Sequence, residues 1–172
     1  MSASFYDLTV GSYTQIVEAA VGVLQKGADH CAEQGMALDD MVDCRLIDDM
    51  ANFHFQVVCI THHSLEALNA MKSGVFLPPN YEPMDYAALQ ALTAGTLETL
   101  KGMSADEVNG LADGNLTFKL GGNEIPFTNV NFALSFSLPN FYFHATTAYD
   151  ILRSKGVPLG KRDFLGAMKM GV

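Results

Sequence analysis

Leu46, Met50, Phe53, Val57, Ile60, Ser64, Leu68 and Met71 recur at steps of four and three. That spacing lines one side of an α-helix and cannot serve a strand, whose side chains alternate faces. It predicts a helix over 46–71, closing at Ser73-Gly74, where glycine adopts the left-handed conformation that ends helices. A stripe this long must be covered by other helices, so it commits the chain to helix-on-helix packing.

The same period recurs on both sides. Tyr13, Ile16, Ala20, Leu24, Gly27 and Cys31 predict a first helix over 9–34, and Asp85 is a suitable N-cap for a third with Tyr86, Leu89, Thr93, Leu97 and Leu100 on its stripe. Pro78, Pro79 and Pro83 impose an extended connection between the second and third. Ser104 and Glu107 have the spacing of a capping box for a short helix ending near Gly114. Leu116, Phe118 and Leu120, the pair Gly121-Gly122, then Ile125 and Phe127 form a hairpin signature too small to stand alone. Residues 130–138 fit either a strand or a helix running on through His144. We read them as helix, with Pro139 producing a kink. The expected fold is all-α: a single domain over 1–172, a four-helix bundle with a small β-hairpin in the crossover between the third and fourth long helices.

A hydrophobic share of 49% against 17% charged residues argues against disorder, and no apolar run approaches the roughly 18 residues of a membrane span. No secretory leader is recognisable at the start, and Cys31, Cys44 and Cys59 form no close pair, so a cytoplasmic location is expected. The net charge of -9 makes nucleic acid a poor partner. Charge is nonetheless segregated: Arg153, Lys155, Lys161, Arg162 and Lys169 follow residue 152, whereas Asp39, Asp40, Asp43, Asp48 and Asp49 cluster upstream. The basic tail is expected to pack within the molecule or across a dimer, with Arg153 and one of Lys161 or Arg162 near carboxylates. Helices this apolar should also leave a patch for a second copy, so a homodimer is expected.

Chemistry concentrates on the last helix. Phe141, His144, Ala148 and Ile151 share its apolar stripe, so His144 faces inward and needs a partner for each ring nitrogen. Asn140, His144 and Thr147 share one face, and a polar stripe inside an apolar helix is either a satisfied buried network or the wall of a ligand pocket. Tyr149 is placed with them as a ligand-binding candidate. His62 and His63, being adjacent on a helix, are read as surface or rim residues, and His30 as a cation near a helix C-terminus. No nucleophile is apparent: Ser64 lacks a glycine-rich elbow, and no cysteine has a sequence context that lowers its pKa.

Residues 138–166, together with Asp49-Met50 and Gln56-Val57, resemble a family of uncharacterised proteins grouped with the DinB/YfiT-like superfamily of proposed metalloenzymes. The resemblance implies a four-helix bundle, commonly dimeric, whose metal-binding relatives hold a divalent ion with three histidines. Two of these come from an H-x-x-x-H on the last helix and one from the second helix. His144 falls on the second histidine of that pair, but Asn140 stands four residues earlier; on the second helix either His54 or Gln56 falls at the matching position. The metal candidates are therefore His144 and His54, and the ligand-binding candidates His144, Asn140, Thr147, Gln56 and Tyr149. The preferred expectation is a degenerate site that binds a small molecule around His144 with no resident cofactor. Bound zinc or nickel is the lesser reading, and a metal-dependent transferase or hydrolase the alternative function.

Overall fold

The computed structural model describes residues 3–171. Ser4 opens α1 (Phe5–Leu8) with a reciprocal cap to Asp7. The chain then turns into α2 (Val10–Gln34), which buries Tyr13, Val17, Leu24, Gly27 and Cys31 and stops at Gly35 in the left-handed conformation (φ 64°). Gly27 is needed where α2 meets its neighbours, because a Cβ there would strike the Tyr86 hydroxyl and lie 3.3 Å from a Leu152 methyl.

The second long helix departs from expectation at its start. It begins at Phe53 rather than near Leu46, which lies in a turn region and is 44% exposed. The Asn52 side chain accepts the Phe55 N–H, and the preceding loop supplies acceptors for two more free donors: Phe53 N–H to the Cys44 carbonyl at 2.7 Å and His54 N–H to the Val42 carbonyl at 3.0 Å. A cap that satisfies this many orphan donors outweighs the apolar period upstream of it. From Phe53 the helix runs as α3 (Phe53–Thr61), passes through a π-helical turn (His62–Glu66) and continues as α4 (Ala67–Ser73) to Gly74, again left-handed (φ 82°).

The extended connection begins with a strand, β1 (Val75–Phe76), which the sequence reading did not anticipate. Next come α5 (Tyr86–Lys101), capped by Asp85, and α6 (Ala105–Asn109), where the Ser104 side chain makes no capping bond, contrary to the capping-box expectation. The hairpin β2 (Asn115–Leu120) and β3 (Asn123–Thr128) turns on Gly121 and Gly122, both at positive φ. β1 adds parallel to β2, Phe76 opposite Phe118, giving a three-stranded sheet in the order β1-β2-β3.

Residues 130–138 are helical. α7 (Asn129–Phe132) leads through a second π-helical turn (Ala133–Ser137) into α8 (Leu138–Ser154). Pro139, which has no N–H to donate backwards, follows directly on that wide turn, the local adjustment by which a helix accommodates a proline. Thus the fold is mostly helical, with α2 packed on α5 and α8, and α3 on α5 and α8, around one core. No helix among the described residues is long and apolar enough to cross a membrane.

The basic tail docks, though not as its charge suggested. α9 (Lys161–Leu165) packs on α2 through its one acid, Asp163, which Lys26 of α2 meets at 2.6 Å. Arg153 donates to the Val157 carbonyl at 2.7 Å instead of to a carboxylate. Among the described residues neither Lys161 nor Arg162 is in an ion pair. The Val157 carbonyl, only four residues away in the turn after α8, outcompetes distant surface acids for Arg153.

Candidate metal centre

The candidate site lies where α3 and the π-helical turn after it pack against α8. In a regular helix consecutive residues diverge by about 100°, so His62 and His63 would not both be expected inside. Here, however, the helix is buried on every side from Gln56 to Ser64. His62 and His63 are 7% and 6% exposed, which corrects their assignment to the surface. Their rings stand edge to face with centroids 5.2 Å apart, and His63 stacks on His144 of α8 at 5.4 Å with an interplanar angle of 7°. Cys59, one turn before His63 on α3, completes a group. Its Sγ, one ring nitrogen of His63 and one of His144 all lie within 4.8 Å of one another, and all three residues are buried.

Hydrogen bonds orient these donors. Gln56 Nε2 donates to the Ala51 carbonyl at 3.0 Å, which leaves Oε1 facing His144 Nδ1 at 2.8 Å. An amide oxygen can only accept, so His144 carries its proton on Nδ1 and Nε2 keeps its lone pair. Phe55 and Phe143 meet the His144 ring edge to face, at centroid distances of 5.8 and 5.2 Å. His63 is held through its backbone: Ser137 Oγ, in the second π-helical turn, donates to the His63 carbonyl at 2.6 Å. Since that uses the only proton of Ser137, the Tyr13 hydroxyl must donate to Ser137 Oγ, also at 2.6 Å. The His63 Nδ1 itself is buried with no hydrogen-bond partner.

Burial sets the protonation state. It lowers the pKa of His62 to about 4, of His63 to about 3 and of His144 to about 4, reinforced for His63 and His144 by the neighbouring imidazoles. The Cys59 thiol is pushed up to about 12 by burial alone. At neutral pH the cluster therefore presents uncharged imidazoles beside a protonated thiol. Cys59 is a poor unassisted nucleophile, whereas a divalent cation would displace its proton.

Of the residues picked out by sequence, Gln56 and His144 meet directly. His54 lies outside the cluster, half-buried, with a sealed and unpartnered Nε2. It is two residues from Gln56 and so on the other side of α3. Asn140 Nδ2 donates to the Phe136 carbonyl at 2.7 Å, and Thr147 Oγ1 to the Phe143 carbonyl at 2.8 Å, so each satisfies the helix that bears it. Tyr149 packs edge to face on Phe164 and lines a separate apolar cavity of about 20 Å³ with Phe53, Val57 and Leu152. Cys59 and His63 were missed. Their spacing of four was the available signal, because it places two ligating side chains on one helical face.

Comparison with known proteins agrees with this architecture. A solved structure of a DinB family member protein from Shewanella denitrificans is similar to the chain with a TM-score of 0.79 and 27% sequence identity, covering 97% of this chain and 94% of that one. No curated protein matches the chain. The fold is thus that of a DinB-like protein, and the match of residues 5–165 to the family described as Domain of unknown function (DUF1993) shows that the chain belongs to that family.

Proposed function

We propose that this protein is a DinB-like four-helix bundle that holds a divalent metal, zinc or nickel, on Cys59, His63 and His144, and uses that centre to bind a small molecule. The observation that carries the reading is the convergence of three uncharged, buried donors, their ligating atoms within 4.8 Å of one another, in a group that includes no carboxylate among the described residues. Imidazole and thiolate are the donors that zinc and nickel prefer. The bond from His144 Nδ1 to Gln56 is the kind of outer contact that fixes a metal-ligating histidine in the right tautomer. Relative to the three-histidine pattern implied by the resemblance, the second helix would supply a cysteine and a histidine and the last helix a single histidine. The site is then redistributed rather than degenerate.

A bound metal would supply Lewis acidity and an activated water. Three protein donors are the number found in catalytic zinc sites, which keep one position open, and this supports metal-dependent transferase or hydrolase activity as a second reading. We also propose a homodimer. Its support is the exposed apolar surface of Leu134, Tyr142 and Phe143, and light scattering giving a monomer mass at micromolar concentration would remove it. A thiolate ligand would suit a reducing compartment.

Metal analysis of untagged protein, loaded with zinc and dialysed, tests the main reading. One equivalent should be retained, and Cys59→Ser or His63→Ala should release most of it. The cobalt-loaded protein should show a near-ultraviolet thiolate-to-cobalt absorption that Cys59→Ser abolishes. Retention of no metal, or retention indifferent to both substitutions, refutes it.

A further inference from the structure

Beside the cluster runs an open groove of about 500 Å³, bordered by His62, Glu66, Asn69, Phe76, Asn80 and Tyr81. It is one ring away from the proposed metal ligands. His62 and Phe76 both border it, and both pack on the His63 ring, at centroid distances of 5.2 and 5.8 Å. Tyr81 stands edge-on to His62 at 6.3 Å, and burial, then the nearby Glu66 carboxylate, hold its hydroxyl in the neutral form. The groove's chemistry is lopsided. The lining holds one carboxylate, Glu66, and no lysine or arginine, and among the described residues Glu66 is in no ion pair. Its only side-chain partner there is the Asn69 amide, at 3.4 Å. His62 Nε2 is sealed from the groove and has no hydrogen-bond partner among the described residues.

We infer that this groove is the ligand-binding cleft that serves the Cys59/His63/His144 centre, and that it takes a small organic cation: a primary ammonium attached to an aromatic or branched apolar body. This rests on the metal reading for its connection to the centre, but not for binding itself. The ammonium would pair with Glu66 and donate to the neighbouring polar groups, while its apolar body lies on the exposed Leu77 side chain and on the Tyr81 ring, where an adjacent positive charge is also favoured. A carboxylate or phosphate of the same size would meet uncompensated negative charge and no basic residue. One stretch of helix links the two, with His62 and Glu66 at the groove and His63 at the centre.

The test uses benzylamine as probe, with benzoate as the charge-reversed control, titrated into isotopically labelled metal-free protein and followed by NMR. Benzylamine should shift the His62 ring and the Asn69 and Asn80 side-chain amides saturably, and benzoate should not. Glu66→Gln, at a half-buried site that leaves the core intact, should weaken benzylamine by about tenfold, the effect of losing one charge-assisted contact. In cobalt-loaded protein benzylamine should perturb the thiolate-to-cobalt band, and Glu66→Gln should suppress that response. Equal binding of benzoate, no saturable shift, or indifference to Glu66→Gln overturns the inference even if metal binds. Absence of metal binding with the metal-free titration intact instead overturns the metal reading and leaves the cleft standing.

Discussion

Ser137→Ala should be among the most destabilising single-atom changes available in this protein, and its cost should collapse when Tyr13 is changed as well. Ser137 is fully buried and mediates between α2 and the two π-helical turns, accepting from Tyr13 and donating to the His63 carbonyl, both at 2.6 Å. Removing Oγ leaves the Tyr13 hydroxyl as a buried donor with no acceptor, a penalty of about 1–3 kcal/mol, and deletes a bond at His63 worth about 0.5–1.5 kcal/mol. The expected total is about 2–4 kcal/mol, a large share of the roughly 5–15 kcal/mol that holds a domain folded. Tyr13→Phe removes the donor itself and should cost only about 1 kcal/mol. In the Ser137→Ala background, however, it removes the orphan, so the double variant should be no less stable than Ser137→Ala alone. A double-mutant cycle should therefore show a coupling of about 1–2 kcal/mol. Urea denaturation at pH 7 reads this directly. With a slope near 2 kcal/mol/M, Ser137→Ala should lower the midpoint by about 1–2 M. Additive costs, or a Ser137→Ala midpoint within error of the parent, would refute the hydrogen-bond chain.

Acid should destabilise the metal-free protein. His62, His63 and His144 have native pKa values of about 4, 3 and 4 against an ordinary value near 6.5, so between those limits the unfolded chain binds more protons and stability falls with pH. Each imidazole should remove about 1.5 kcal/mol between pH 6.5 and 5, with little change above 7, and a urea midpoint flat over that range would contradict the burial of all three. Gly27→Ala drives a methyl into the Tyr86 hydroxyl, whose bond to the Leu24 carbonyl spans 2.8 Å, and into Leu152. The expected overpacking cost of about 2–3 kcal/mol should lower Tm by about 5–10 °C in a calorimetric scan, and an unchanged Tm would show that α2 and α5 can separate freely. Gln56→Leu should leave all three proposed metal donors in place yet weaken zinc about 10–100-fold in a competition titration, because His144 loses the acceptor that fixes its tautomer.

Much of the architecture is local and therefore legible in the sequence. The stripes of α2 and α5, the Asp85 cap, the glycine stop at Gly74 and the turn at Gly121-Gly122 follow from side-chain period and backbone conformation within a few residues. The inward direction of His144 follows in the same way, since Phe141 and Ile151 share its stripe. What fails is decided elsewhere. The apolar period gave no sign that Asn52, backed by the Cys44 and Val42 carbonyls, would start the second helix at Phe53 and leave Leu46 outside it.

The candidate site depended on tertiary structure in a more specific way. The π-helical turn at His62–Glu66 leaves no mark in a stripe read at steps of three and four, and a stripe cannot show that the helix is covered on every side from Gln56 to Ser64, which buries His62 and His63 together. The turn is sustained by partners distant in sequence: Ser137 lies 74 residues from His63, and Tyr13 lies 124 from Ser137. The pairing of Gln56 with His144, and the exclusion of His54, likewise required α3 and α8 to be docked at one rotation. Cys59 and His63 could be placed on one face from their spacing alone. That a third donor meets them from the last helix is a property of the packed core.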